Sequence, residues 1–359
     1  MLATRHQGDI RRSQIREDPL EEVNTQGQKM LSARALFYSA PHSAALANVE
    51  IPTLTEADER QPKVLVRTVF SGISRGTERL VFEGRLPPGE WGRMRCPHQD
   101  GSFPFPVKYG YSVAGQVTEG PGELLGRMVF ALHPHQDIFA ISAAEVVPIP
   151  QGVPARRATL AANMETALNA IWDSGASAGQ TIVVIGGGLV GLLIASLAAR
   201  LPGTQVTLVD ILPERAEIAA AFGLSFALPQ DAPGGADIVF HASASQAGLR
   251  LALDLAGFEA RIVEVSWFGE KEVALPLGGP FHSQRLQIIS TQVGSVSPVM
   301  RARWPHRRRL EVALRLLDDP RLDALITGDI AFEDLPGALP RILGADARGI
   351  ATAVRYSQP

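Results

Sequence analysis

The chain has 359 residues, a single cysteine, 45% hydrophobic residues, and 34 basic against 37 acidic side chains for a formal charge of −3. Its length exceeds one ordinary core and predicts two domains, while one cysteine excludes an internal disulfide and a four-thiolate zinc site. The near-neutral balance supplies no positive field for nucleic acid or an anionic membrane surface, so neither is an expected partner.

Residues 1–30 mix five basic and five acidic side chains and contain no aromatic or apolar h-region, which argues against a secretory signal. Asp9, Glu17 and Asp18 count against a transit peptide, so a mobile tail is expected, with Met30 as an alternative natural start. No later run reaches the roughly 18 uninterrupted apolar residues of a membrane span, and a cytoplasmic protein is expected. From Ala33 to about Pro150, ALFYS, KVLVRTVFSGIS, SVAGQVTEGPG, GRMVFAL and DIFAIS read as short strands broken by Gly and Pro. That pattern predicts a small barrel-like β domain. From Thr159 the pattern alternates: helix TLAANMETALNAIWDSG, strand TIVVI, helix VGLLIASLAAR, strand QVTLVD, helix PERAEIAAAFG, strand ADIVFHAS, helix QAGLRLALDLAG and strand ARIVEVS. Strands and helices at this spacing predict a parallel sheet with right-handed crossovers. After about Thr291 the alternation loosens into a helix (RRLEVALRLLDD), a loop, another helix and a short final strand.

Gly186, Gly188 and Gly191 form G-x-G-x-x-G directly after TIVVI and directly before a helix. In that setting each glycine has a mechanical role, in a tight turn, in close approach to a pyrophosphate, and in helix–strand packing. The helix start at Leu189 and Val190 offers free N–H groups to phosphates. Asp210 ends the next strand, where a carboxylate accepts ribose hydroxyls and repels a 2′-phosphate, so NAD is favoured over NADP; Arg215 nearby pulls the other way. Ser243, after DIVF, and Trp267, after ARIVEV, stand at strand ends that face the same crevice. His241 reads as a wall residue on the cofactor side.

A β domain, a Rossmann domain and a return segment, in this order, resemble the medium-chain dehydrogenase/reductase superfamily across residues 33–357. The segment GISRGTERLVFEGRLPP resembles its G-I-C-x-(S/T)-D run, PVKYGYSVAGQV its P-x-x-x-G-H-E-x-x-G-x-V run, GRMVFAL its G-D-x-V strand, and ANMETALNAI its nicotinamide-side helix. The SGIS-GTERL and GR-PP run is also similar to bacteriochlorophyllide a dehydrogenase-like proteins. The resemblance implies an α/β chain with a GroES-like β-barrel domain at 31–163 and a Rossmann doubly wound parallel-sheet domain at 164–293. Residues 294–359 would complete the first domain. It further implies that Thr166 packs on the nicotinamide, that Arg75 reaches the pyrophosphate, and that FHSQRLQIIST forms the paired strand of a homodimer.

The departures are as informative as the matches. Where zinc-dependent members place ligands, this chain has Ser74, Tyr111, Ser112 and Ala162, none of them a thiolate, imidazole or carboxylate. No metal is expected. His133 and His135, with His98, Cys96 and Glu78 further off, read more simply as a pocket wall than as a rebuilt metal site. Without zinc, a side chain must supply the proton, or the substrate must be intrinsically activated. Tyr111, in the ligand-His position, is the first candidate, followed by His133 and His135, whose side chains titrate in the useful range. Glu78 falls where zinc members keep a proton relay, Tyr109 shares a face with Tyr111 if the segment is extended, and Lys108 could lower a tyrosine pKa. A packed aromatic is the alternative for Tyr111, and a surface pair for Glu78 and Arg79. The basic run Arg301, Arg303, His306, Arg307, Arg308 and Arg309 around Trp304 reads as a solvated helix entry or as a site for an acidic group.

These readings predict a zinc-independent, NAD(H)-dependent oxidoreductase acting on the alcohol/carbonyl pair of a small molecule. A quinone or enone reductase and a non-catalytic cofactor-binding protein are the alternatives.

Overall fold

The computed structural model describes residues 22–23, 29–55 and 61–358. Of the expected tail, Glu22–Val23 pairs with the start of the strand Lys29–Ala40; residues 1–21 and 24–28, with the rest of that expectation, lie outside the described residues.

Residues 181–290 form a six-stranded sheet in the order Ser225–Ala227, Gln205–Val209, Thr181–Ile185, Ala236–His241, Ala256–Glu264, Gln287–Ser290, with every neighbouring pair parallel. The apolar run TIVVI forms the central strand because both its faces are covered. Ile182 and Val184 join one core, while Val183 and Ile185 join the core on the opposite face. Strand order reverses beside Thr181–Ile185, which opens a crevice at the carboxyl ends of this strand and of Ala236–His241.

The β domain contains the long strand Lys63–Ile73, flanked by Val113–Glu119 and Ile138–Ser142, with Met128–Ala131 next to Val113–Glu119. A second sheet joins Lys29–Ala40 to Ser43–Pro52 and Val107–Lys108. Ala351–Arg355 pairs antiparallel with the end of Lys63–Ile73, Thr352 opposite Ile73. Residues beyond the cofactor domain therefore close the sheet begun before it. Helix Ala161–Ser174 is the junction: it is buried along much of its length, and its Met164 and Ala167 pack into the same core as Ile182 and Val184.

The segment 281–291 forms a short helical turn, Pro280–Ser283, followed by the edge strand Gln287–Ser290. Among the described residues, that strand has one sheet neighbour, Ala256–Glu264. The basic run is divided rather than pooled. Arg309 is 1% exposed and spends its guanidinium on Glu165 Oε1 (2.9 Å), Asn169 Oδ1 (2.6 Å) and the carbonyls of Val293 and Ser295. Arg307 bonds Glu311 and the carbonyls of Ala144 and Val146, and Arg308 stacks over Trp304. Arg307, Arg308 and Arg309, in the first turn of helix His306–Leu316, are thus engaged within the chain, which leaves less of the run for the alternative reading as a site for an acidic group.

Candidate active site

The crevice has the features that a dinucleotide needs. Gly188 caps helix Leu189–Ala198 in extended conformation without a side-chain cap, so the first N–H groups face the crevice unshielded. At Gly191 a Cβ would lie 1.9 Å from the Gly186 carbonyl oxygen, so only glycine lets the helix close on the turn. Asp210 accepts from the Gly187 N–H (2.5 Å) through Oδ2 and from the Leu212 N–H (2.9 Å) through Oδ1. These bonds hold the carboxylate against the glycine turn.

Two arginines from different domains meet beside the glycine turn. Arg75 donates to the Gly349 carbonyl (2.7 Å), and Arg215 donates to the neighbouring Arg348 carbonyl. Burial, then the nearby Arg79 and Arg215 charges, push the Arg75 guanidinium below its usual pKa range. Arg215 is 6% exposed and its buried Nε has no partner. An orphaned cationic donor beside a glycine turn fits an anionic ligand. Thr166 bonds back to the Ala162 carbonyl (3.0 Å) along its helix. Trp267 reaches across from the cofactor domain to pack against the β-domain core that holds Leu80 and Phe82.

Ser243 belongs to a buried chain. His241 is fully buried; its Nδ1 lies 2.7 Å from Glu264 Oε2 and its Nε2 2.7 Å from Ser243 Oγ. Ser243 Oγ in turn lies 2.9 Å from Ser245 Oγ, which caps helix Gln246–Leu255 by accepting from the Gly248 N–H. His241 does not itself line the crevice, as its reading as a wall residue expected; it is buried and braces the turn that carries Ser243.

Of the four positions that zinc-dependent members give to ligands, Tyr111 and Ser74 lie close together as neutral groups. Tyr111 packs against the cores of both domains. Burial pushes its phenol pKa up to about 12, against the opposing pull of the nearby Ser74 and Thr77 side chains. Asn163, next to Ala162, donates to Ser74 Oγ (3.4 Å). Ser112 faces elsewhere, donating to the Thr159 carbonyl at 2.6 Å. Hydroxyls and an amide do not match the donor set of zinc. Among the described residues, no group of three or more His, Cys, Asp or Glu side chains is placed to hold a metal ion.

The remaining candidates separate. Glu78, on helix Arg75–Glu83, is fully buried. Its Oε1 accepts the Ser74 N–H (2.7 Å), and its Oε2 accepts the Tyr38 hydroxyl (2.6 Å) and lies 3.0 Å from His135 Nε2. The surface-pair alternative therefore fails for Glu78, while Arg79 does pair with Glu83 (2.7 Å). His135 continues through Nδ1 to Ser71 Oγ (2.7 Å), and Ser71 Oγ lies 3.0 Å from the Tyr356 hydroxyl.

His133 belongs to a different environment. It stacks on Phe139 (3.8 Å between ring centroids) and on His98, with Nδ1 donating to the Pro134 carbonyl. Burial pushes its pKa well below the usual histidine range, so it stays neutral and is no acid near pH 7. Tyr109 meets Tyr111 edge-on but donates to the Met94 carbonyl (3.2 Å). Burial, together with Tyr111, pushes the Tyr109 phenol well above its usual range. Lys108 donates to Gln136 Oε1 (3.0 Å), so the expected lowering of a tyrosine pKa by this lysine is not what the structure shows. Sequence reasoning missed Tyr38, Ser71 and Tyr356. Tyr38 and Ser71 are ordinary strand residues, Tyr356 directly follows a strand, and only tertiary pairing joins them.

No family model matches the chain. D-guloside 3-dehydrogenase of Escherichia coli K12 is 24% identical over 335 residues, spanning 84% of this chain and 94% of that protein. An uncharacterized zinc-type alcohol dehydrogenase-like protein of Haemophilus influenzae is 27% identical over 215 residues, spanning 56% of this chain and 58% of that relative. The structure of L-idonate 5-dehydrogenase from E. coli superposes with a TM-score of 0.73 at 15% identity, covering 91% of this chain and 99% of that one. Other structures of this fold contain NADP or NADH. The chain has the fold of the medium-chain alcohol dehydrogenases, a GroES-like β domain beside a Rossmann domain.

Proposed function

We propose that this protein is a zinc-independent oxidoreductase that moves hydride between NAD(H) and the alcohol/carbonyl pair of a sugar-derived small molecule. The observation that carries the reading is the pair Tyr111 and Ser74: at two of the positions where zinc-dependent members place ligands, neutral side chains lie close together, and Asn163 donates to Ser74. The names of the relatives, a guloside and an idonate dehydrogenase, support a polyhydroxylated substrate.

Bound nicotinamide supplies the hydride chemistry. The N–H groups at Leu189 and Val190, with Arg75 and Arg215, would hold the pyrophosphate, and Asp210 would accept the ribose hydroxyls. Thr166, Ser243 and Trp267 would line the rest of the crevice. Asp210 faces the glycine turn with a negative charge, which favours NAD over NADP. Tyr111 would donate a hydrogen bond to the substrate oxygen and hold or release its proton. A phenol pushed up to about 12 is neutral throughout the working range, so it acts as a donor and not as a standing base.

The test couples purified protein to a panel of polyols, glycosides and aldehydes with NAD and NADP, beside metal analysis. NAD-linked turnover unaffected by chelators, with Tyr111→Phe slowed about 100-fold or more, is expected. Asp210→Ala should weaken NAD about tenfold and improve NADP. Stoichiometric zinc whose removal abolishes turnover, or an unchanged rate in Tyr111→Phe, would overturn the reading.

A further inference from the structure

The junction helix Ala161–Ser174 carries Glu165, Asn169 and Asp173 at four-residue intervals, a spacing that sets them along one face. That face grips the segment 291–297, which leaves the carboxyl end of the edge strand Gln287–Ser290. Asp173 Oδ2 accepts the Thr291 hydroxyl (2.6 Å), and Asn169 Oδ1 accepts the Ser297 N–H (3.0 Å). Arg309 lies between helix and segment and uses all three of its nitrogens. It donates to Glu165 Oε1 (2.9 Å) and Asn169 Oδ1 (2.6 Å) on one side, and to the Val293 and Ser295 carbonyls on the other. His306 Nε2 donates to the carbonyl between them, on Gly294 (3.1 Å). Glu165, Asn169, Ser297 and Arg309 are each 4% exposed or less.

Burying a guanidinium with a carboxylate strips both of water, and for stability alone an apolar pair of similar volume does as well. An apolar pair cannot fix backbone carbonyls, however. Residues 291–297 belong to no helix or strand, so their polar backbone groups depend on partners such as these. The place that is fixed matters too. Asp210 follows Gln205–Val209 on one side of the strand-order reversal, whereas Gln287–Ser290 lies on the other side, two strands beyond Ala236–His241. A dinucleotide laid across the reversal with its adenosine ribose at Asp210 would extend its nicotinamide half over this second side. Thr166 follows Glu165 on the same helix, and Val265–Trp267 leaves the neighbouring strand at the same edge of the sheet.

We propose that Arg309, braced by Glu165 and Asn169, is a positioning residue that holds segment 291–297 as a preformed wall at the nicotinamide end of the crevice. The proposal rests on the nicotinamide-dinucleotide reading and names the residues that give that site its shape. Arg309 is not a catalytic residue: it is 1% exposed, and its bonds all go to the protein. It acts by removing freedom from a segment that has no regular structure of its own, so that little ordering is left for the moment of binding. The choice of arginine follows from the geometry. One planar guanidinium reaches four acceptors on two separate parts of the chain, a task that a lysine ammonium, with three donors on one atom, does not match.

The test separates the two halves of the cofactor and needs no turnover. Binding to the full-length protein is measured by calorimetric titration for NADH against ADP-ribose, which lacks the nicotinamide, and for NADPH against 2′-phospho-ADP-ribose. Arg309→Met should weaken the nicotinamide-bearing member of the pair that binds by about tenfold and leave the other within about twofold. Arg309→Lys keeps a cation beside Glu165 and guards against a variant that does not fold; a few-fold loss, again confined to the nicotinamide-bearing compound, is expected. The change in nicotinamide fluorescence on binding should shrink in the same order. A purely structural ion pair would move both compounds together. Equal losses for both, or no loss for either in a folded variant, would overturn the proposal and leave the cofactor reading intact. Binding of neither pair by the wild type would overturn the cofactor reading and the proposal with it. Binding of the NADPH pair alone would overturn the preference for NAD, while selective loss of NADPH in the variants would still support the role of Arg309.

Discussion

Each domain holds a carboxylate, a histidine and a serine in a row, and the two rows differ where it matters. In the β domain, Glu78 meets His135 at Nε2 and Ser71 meets it at Nδ1; in the cofactor domain the ring is reversed, with Glu264 on Nδ1 and Ser243 on Nε2. The Glu78 side chain is fully buried and its row continues to a phenol at a cavity. The Glu264 side chain is 15% exposed, and its row ends one hydroxyl further on, in a helix cap. One row leads somewhere and the other braces a turn. Identical chemistry in series is therefore not a functional signature by itself; what lies at the two ends decides.

A glycine packs against each row, and this gives the sharpest way to separate them. Gly110→Ala should have the largest effect. Its φ of +124° excludes an ordinary side chain, and the new Cβ would strike the His135 ring. A loss on the order of 3 kcal/mol in denaturant unfolding is expected, because neither the backbone nor a ring packed in the core yields cheaply. A stable Gly110→Ala protein would break the claim that the β-domain row is rigid.

A middle-sized effect concerns pH. His133, held neutral by burial, has a native pKa well below its unfolded value of about 6.5. Below that value the unfolded chain takes up a proton that the native state refuses, so stability is complete above it and falls as pH drops. His133→Phe should flatten this acid limb by about 1 kcal/mol between pH 7 and pH 5, measured as the shift in unfolding midpoint. An unchanged slope would mean that other groups set the acid response, and that His133 is not isolated from the Glu78 row in the way its stacking implies.

Gly248→Ala should have the smallest effect on stability. In a helix the alanine gains about 1 kcal/mol in propensity, but its Cβ would lie 2.4 Å from Ser243 Oγ, 2.8 Å from His241 Nε2 and 2.9 Å from Ser245 Oγ. The two serine hydroxyls can rotate away while the buried His241 ring must shift, so a net loss of about 1 kcal/mol is expected, with the His241–Ser243 bond lost. Cofactor titration should then show a few-fold weaker binding. A large loss of stability would place the cofactor-side row on the same footing as the other and erase the contrast.

The unequal legibility of the two domains has a physical cause. TIVVIGGGLVG could be read as a strand, turn and helix because all its determinants lie within a dozen residues, and Asp210 arrives one crossover later. Tyr111 and Ser74 could be singled out by their places in a resembling pattern, and the structure sets them close together. The β-domain row could not be read at all. Tyr38 and Glu78 are 40 residues apart, His135 and Glu78 are 57, and Tyr356 and Ser71 are 285; no periodicity spans such gaps. Arg309 misled in the opposite direction. It looked like part of an exposed basic run, yet its partners Glu165 and Asn169 lie on the junction helix more than a hundred residues earlier.

The pairing of Ala351–Arg355 with Lys63–Ile73 also has a consequence in time. A sheet neighbour made some 280 residues late cannot help its partner during synthesis, whereas all six strands of the cofactor sheet are made before it. The cofactor domain can reach its native pairing while the long strand beside it still has an open edge. Tyr356, which heads the buried row, follows directly on that last strand. Completion of the β domain and of its buried polar row would then be one event, near the end of folding.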